Sequence, residues 1–471
     1  MTVPNILAER YASREMVGIF DPANRIRLER RFWLAVLRAQ ADLGVGVPDS
    51  AIADYEAVVE DVDLASINRR DRLLKHDVKA RIEEFNELAG HQEIHKGLTS
   101  RDLTENVEQL MTWQALELID HRTVSLLRLV AERASEYAGL AMVGRTHNVP
   151  AQPTTLGKRF AQAGEELLLA HRELRDLRAS YPIRGIKGPV GSQQDQLDLL
   201  GSVEKVEKLE ELVAGHLGID HRFNAVGQVY PRSLDFAAVS TLLRLAAGPS
   251  SLAMTIRLMA GHNLVTEGFK RGQVGSSAMP HKMNARSCER INGLYTILQG
   301  HVTMASSLAG HQWNEGDVAC SVVRRVVVPD SFFTIDGLYE TTFDVVRNAG
   351  AYPEVIDNEL RQYLPFLATT KLLVHAVRHG MGREDAHEVI KEHAVATALS
   401  MREGEGDGSR LIDRLAVDER FPGSNSELWA MIGKPAELLG TIEKQVGVFC
   451  DQVETLSSEY AEPWYRGAEI L

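Results

Sequence analysis

Along most of this 471-residue chain, apolar residues recur at the three- and four-residue steps of an amphipathic helix, and the runs break at Gly and Pro. Asp21-Pro22 predicts the start of the first clear helix, since Asp suits an N-cap and Pro the first turn. Phe32, Val36, Ala39 and Leu43 continue it, and Gly44 stops it. A second helix is expected to begin near Thr99 to Asp102 and to run toward Gly139 without an internal Gly or Pro. Further long helices are predicted over 155–180, over 233–261 with an interruption at Gly248-Pro249, over 288–312 and over 330–349. Helices average about three turns, so several of this length in succession imply an all-α bundle. Leu126, Leu127, Leu129 and Val130 put apolar groups on more than one face, which neighbouring helices must cover. Association between chains would supply such neighbours.

Strand signals are thin. Val326-Val327-Val328 is β-prone but ends at Pro329, so it reads as a short extended link. A break near Tyr363-Leu364-Pro365 separates the bundle from a smaller C-terminal helical unit. There Ala386, Val389 and Ile390 share one side of a helix beginning near Arg383. The expected division is 1–111, 112–364 and 365–471.

Charge and cysteine content narrow the class. A formal net charge of −13 argues against general nucleic-acid binding, although a local cluster of Arg and Lys can still hold a small anion. Cys288, Cys320 and Cys450 are too few and too scattered for a disulfide framework or a zinc site. The first residues lack the apolar core of a signal peptide, and no run comes close to the ~20 apolar residues needed to cross a bilayer. A soluble cytoplasmic protein is expected, with no nucleic-acid or membrane partner.

Four segments carry candidate chemistry, each with a plain structural alternative. Gly275-Ser276-Ser277-Ala278-Met279-Pro280-His281-Lys282-Met283-Asn284 gathers two hydroxyls, a cation and an amide in one loop. The hydroxyls suit a nucleophile or base, Lys282 and Asn284 suit a developing negative charge, and the loop could serve as a lid. The plain alternative is a polar surface loop. Gly144-Arg145-Thr146-His147-Asn148-Val149-Pro150 is a turn-rich link whose histidine can give or take a proton, or is merely solvated. In His95-Lys96-Gly97-Leu98-Thr99-Ser100-Arg101-Asp102, Thr99 and Ser100 are natural N-caps, and the amides of a helix start also attract a carboxylate or phosphate. Lys75-His76-Asp77 pairs an imidazole with a carboxylate and a cation, or is a charged helix face.

As a string, Gly-Ser-Ser-x-Met-Pro-x-Lys-x-Asn closely resembles the signature loop of the fumarase/aspartase superfamily. His281 and the Lys75-His76-Asp77 triplet are similar to its adenylosuccinate lyase branch. The motifs keep the family's order from Arg10 to about Arg325. The resemblance implies an all-α, three-domain fold whose central bundle forms a tetramer, with sites where three subunits meet and no metal or cofactor. It implies elimination of fumarate from a nucleotide substrate, with Ser276 as base and His147 as acid. It further implies substrate contacts from Arg10, Tyr11, Lys75, His76, Asp77, His95, Thr99, Ser100, Gln228, Ser277, Lys282, Met283, Asn284, Glu289, Ser321 and Arg325. Arg10, Tyr11, Ser321 and Arg325 would hold the phosphate. The chain departs from the family at Ala285, usually Pro, and at Arg290, often Asn. It also departs at Gly316, where many relatives place a phosphate-binding Arg; Arg324 or Arg232 is the expected substitute. The rival readings are another fumarate-releasing lyase, such as argininosuccinate lyase, and a non-enzymatic member like the lens crystallins.

Overall fold

The computed structural model describes residues 4–268, 279, 281–317 and 319–468. Five long helices form its centre: α1 (Ser100–Glu136), α2 (Leu156–Ala179), α3 (Ser233–Gly261), α4 (Arg286–Ser306) and α5 (Ala319–Asn348). Consecutive helices pack side by side, and α5 also lies on α1 and α3. After α5 the chain passes through α6 (Pro353–Leu367) into a separate apolar core spanning Leu364 to Ile432. It then returns to the bundle as α7 (Ile442–Ser457), which packs on α1 and α2. The N-terminal core joins the Pro22–Asp42 and Asp77–Ala89 helices to the first turns of α1 and to the Val203–Leu217 helix.

Capping residues start these helices as expected. The Asp21 side chain accepts from the Ala23 N–H at 2.8 Å, with Pro22 in the first turn. At the head of α1, the Asp102 carboxylate accepts from the Thr99 N–H at 2.8 Å. Leu126, Leu127 and Val130 are buried by helices of the same chain, so their coverage needs no second copy.

Several expectations fail, and packing accounts for the first two. α3 runs unbroken through Gly248-Pro249. A Cβ at Gly248 would stand 2.5 Å from the Ala163 carbonyl, so this glycine is where α3 and α2 touch backbone to backbone. Leu242, Leu245 and Leu252 are buried around it. At roughly 1.5–3 kcal/mol each, they outweigh the ~3 kcal/mol that an interior proline costs. Val326-Val327-Val328 is helical, not extended: it lies in α5, with Val327 and Val328 in the core. Tertiary burial overrides β-propensity there. Tyr363-Leu364-Pro365 lies inside α6, and the break comes at Ala368. α4 ends at Ser306 rather than near Gln312. By length and composition α3 also resembles a membrane span, contrary to expectation, yet it packs in the middle of the bundle with a little over half of its apolar stretch buried.

The turn-rich link is a β-hairpin. β1 (Ala141–Thr146) pairs antiparallel with β2 (Val149–Thr155), Thr146 opposite Val149. His147 and Asn148 are its two turn residues, at φ 52° and 60°. Two consecutive positive φ values are the type I′ arrangement whose twist suits a tight hairpin.

α1 has 37 residues and is therefore about 55 Å long. α3 and α5 start where α1 starts, as the Arg232–Glu105 pair (2.8 Å) and the Arg101–Ser321 bond (2.9 Å) establish. At the other end, Arg133 of α1 reaches the Ala349 carbonyl beyond α5. The bundle thus has a near end, around Thr99, and a far end, around the hairpin.

Candidate active site

The near end is built on Asp102, which is fully buried. One carboxylate oxygen accepts from Arg184 at 2.6 Å and from the N–H groups of Lys187 and Gly188 at 2.9 and 3.0 Å. Arg184 also donates to the Gly227 carbonyl at 2.9 Å, which ties the Gln228 loop to the start of α1. The Gln228 N–H donates to the Glu315 carbonyl at 2.8 Å, joining that loop to the turn before α5. Thr99, Ser100, Gln228 and Ser321 therefore lie around one helix end. Arg325 follows Ser321 by one turn and lines a cavity of about 280 Å³ with Phe20, Arg25 and Glu108.

Two histidines complete this end. The Trp33 Nε1–H donates to His95 Nδ1 at 3.0 Å. Burial lowers the His95 pKa to about 4, with His76 and Lys79 adding to the effect against the pull of Asp102. The ring is neutral at pH 7 and carries its proton on Nε2. Lys75-His76-Asp77 is a junction between two helices rather than a charged helix face. Lys75 ends one helix at φ 57°, and His76 Nδ1 caps the next by accepting from the Lys79 N–H at 3.1 Å. Burial raises the Asp77 pKa, but Arg81, at 2.6 Å, and other cations outweigh it and leave it lowered.

Arg324, one of the two expected substitutes for the absent arginine, lines the same cavity as Arg325, and Arg232, the other, lies at the head of α3. Both are buried and already paired: Arg324 with Asp235 at 2.8 Å and Glu108 at 2.6 Å, Arg232 with Glu105 at 2.8 Å. Burial raises the Glu108 pKa, yet Arg324 and Arg25 overcome this and hold it at about 2.

The far end carries the exposed His147 at the tip of the hairpin. Arg145 Nη1 donates to the Asn148 carbonyl at 3.2 Å and pairs through Nη2 with Glu359 of α6. A cleft of about 400 Å³ beside the turn is lined by Arg145, Asn148, Arg159 and His262. Lys282, Met283, Asn284 and Glu289 line a second cleft of about 730 Å³, with Arg257 and Tyr352. The Tyr352 hydroxyl is 3.5 Å from the Met283 sulfur. Glu267 caps α4 behind them, accepting from the N–H groups of Ser287 and Cys288 at 3.0 and 2.9 Å. Ser276 and Ser277 lie outside the described residues.

Arg10 and Tyr11 belong to neither end. A Cβ at Gly337 of α5 would lie 2.6 Å from Tyr11 Cβ, and the Arg290 guanidinium is 5.7 Å from the Tyr11 ring centre. Gly337 follows Ser321 by sixteen residues, about 24 Å along α5. One chain cannot bring Tyr11 and Ser321 to the same phosphate, nor Thr99 and His147 to the same small molecule. The long-range partners Arg184, Glu267 and Glu359 had no local signal; Asp102, three residues after Thr99, fits the capping-box spacing.

A lyase family model matches residues 14–300, and a model for the adenylosuccinate lyase C-terminus matches residues 365–449. The adenylosuccinate lyase of Saccharomyces cerevisiae is 35% identical over 94% of this chain and 93% of its own length. The chain belongs to the adenylosuccinate lyase family. The Schistosoma mansoni adenylosuccinate lyase is 31% identical over the same shares of both chains. The fold is shared with the 3-carboxy-cis,cis-muconate lactonizing enzyme of Pseudomonas putida (TM-score 0.83, 20% identity, 96% of this chain and all of that one). It is shared too with a fumarate lyase of Mesorhizobium sp. BNC1 (TM-score 0.80, 19% identity, 94% of this chain and 99% of that one). Membership in the adenylosuccinate lyase family does not favour the argininosuccinate reading. It accounts for the all-α bundle and for an enzyme of the lyase class.

Proposed function

We propose that this chain cleaves the C–N bond of adenylosuccinate to give AMP and fumarate, and likewise releases fumarate from the succinylated carboxamide ribotide, SAICAR, to give AICAR. Full-length similarity to adenylosuccinate lyases carries the reading. Removing a proton from the carbon beside a carboxylate leaves a carbanion delocalised into that carboxylate as a dianion. Lys282, Asn284 and the amides at the head of α1 are the groups suited to hold that charge. Ser276 would be the base, its hydroxyl made acidic by nearby cations and amides. Protonated His147 would deliver a proton to the departing purine nitrogen. No step requires a metal or cofactor.

The approximately 55 Å length of α1 between Thr99 and the hairpin supports sites assembled from different chains, and we infer a cytoplasmic homotetramer. Fumarate release from adenylosuccinate, followed by absorbance, tests the activity. Ser276→Ala and His147→Gln should each reduce turnover by orders of magnitude in a folded assembly. Mixing the two inactive variants should restore part of it, because exchange builds sites with both residues intact. Efficient exchange of tagged subunits without recovery would place both residues in one chain and overturn the shared-site reading.

A further inference from the structure

We propose that Arg101 supplies the guanidinium of the phosphate subsite that Gly316 lacks, acting on the phosphate directly and through Ser321. The inference rests on the nucleotide reading above and on the assignment of Ser321 to the phosphate. At φ 151°, residue 316 has a backbone that disfavours a side chain, and a Cβ there would come within 3.2 Å of Val229. An arginine in this turn, as it is shaped here, would be strained and crowded against Val229. Arg324 and Arg232, the substitutes expected from the sequence, are held in buried ion pairs.

Arg101 is differently placed. Its side chain keeps 18% of its exposure, and Nη2 donates to Ser321 Oγ at 2.9 Å. A hydroxyl that accepts from a guanidinium has its own proton free to donate, so the contact turns Ser321 into a donor toward an anion. The remaining guanidinium hydrogens are suited to phosphate oxygens in a way a lysine ammonium is not. Arg101 also pairs with Glu105 at 3.0 Å, but Glu105 keeps Arg232 at 2.8 Å when Arg101 is removed. The core beneath should survive the substitution.

Binding of AMP and of adenosine to the full-length protein, measured by calorimetry, separates the phosphate from the rest of the nucleotide. Arg101→Gln should weaken AMP about tenfold or more, leave adenosine within about twofold, and raise KM for adenylosuccinate more than it lowers kcat. Arg101→Lys should recover only part of the loss. Unchanged AMP binding, or equal weakening of AMP and adenosine, would overturn the proposal, the second outcome marking Arg101 as a support of the fold. The parent reading fails separately, if the wild-type protein releases no fumarate from adenylosuccinate; AMP binding to the variants still decides Arg101.

Discussion

Glu359→Gln offers a direct test of how the His147 turn is held. Arg145 bridges the Asn148 carbonyl and the Glu359 carboxylate, and the two side chains retain 16% and 13% exposure. Exposed ion pairs contribute up to about 1 kcal/mol, whereas removing one partner of a buried pair costs about 3–5 kcal/mol. A pair this enclosed falls between, at roughly 2–3 kcal/mol. Arg159 raises the stakes. Its guanidinium donates to the Val143 carbonyl at 3.1 Å, and burial lowers its pKa, with Glu359 opposing and Arg145 reinforcing that effect. Without the Glu359 charge, two guanidiniums face each other beneath the hairpin.

The variant should therefore lose about 2–3 kcal/mol in urea unfolding. If half of that loss appears as displacement of the turn in the transition state, kcat falls about tenfold while KM is little changed. The double exchange Arg145→Glu with Glu359→Arg separates the two effects. It restores opposite charges but removes the donor to the Asn148 carbonyl and puts a cation beside Arg159, so stability recovers in part and kcat does not. Wild-type kcat in Glu359→Gln, or full recovery in the exchange, would refute a positioning role for the pair.

Two pH effects follow from the near end. Glu108, depressed to about 2 by Arg324 and Arg25 in spite of burial, contributes stability that is fully present above its ordinary pKa near 4.5 and is lost as pH falls toward 2. About 2 kcal/mol should be gone by pH 3, less some screening because 21% of the side chain is exposed; Glu108→Gln should cost clearly more at pH 6 than at pH 3 in denaturant titrations, and equal costs would contradict it. His95, lowered to about 4 by burial, destabilises the fold as pH drops from about 6.5 to 4, since the unfolded chain takes up the proton first. Its ring should remain the Nε2–H tautomer at pH 6 by nitrogen NMR, and a midpoint near 6.5 would show that the imidazole is not enclosed.

Much of the helical architecture was legible because its signals are local. Asp21-Pro22 and Thr99 with Asp102 mark helix starts through side chains that meet orphan amides within three residues, and α1 contains neither Gly nor Pro. Where local preference and packing disagree, packing prevails. Pro249, Val327 and Val328 sit inside helices because their neighbours across the bundle bury them. The hairpin was hidden for the opposite reason. His-Asn lacks the glycine that usually announces a type I′ turn, and Pro150 and Pro153 weaken the strand signal of a two-stranded ribbon with no further partner to lose.

The candidate site was legible in its residue types and not in its geometry. Thr99, His147 and Lys282 were singled out by short motifs, but a motif carries no information about which end of a 37-residue helix it occupies. The ion pairs that fix those ends, Arg184 with Asp102 and Arg145 with Glu359, join residues separated by 82 and 214 positions. The same geometry ties Arg324 and Arg232 to carboxylates, for an arginine read from sequence is a free cation until its carboxylates are located. Both are buried beside theirs, while Arg101, in sequence only part of a helix start, touches Ser321. Motifs thus identify the chemistry a chain is equipped for; the burial of each charge decides which groups remain available to a ligand.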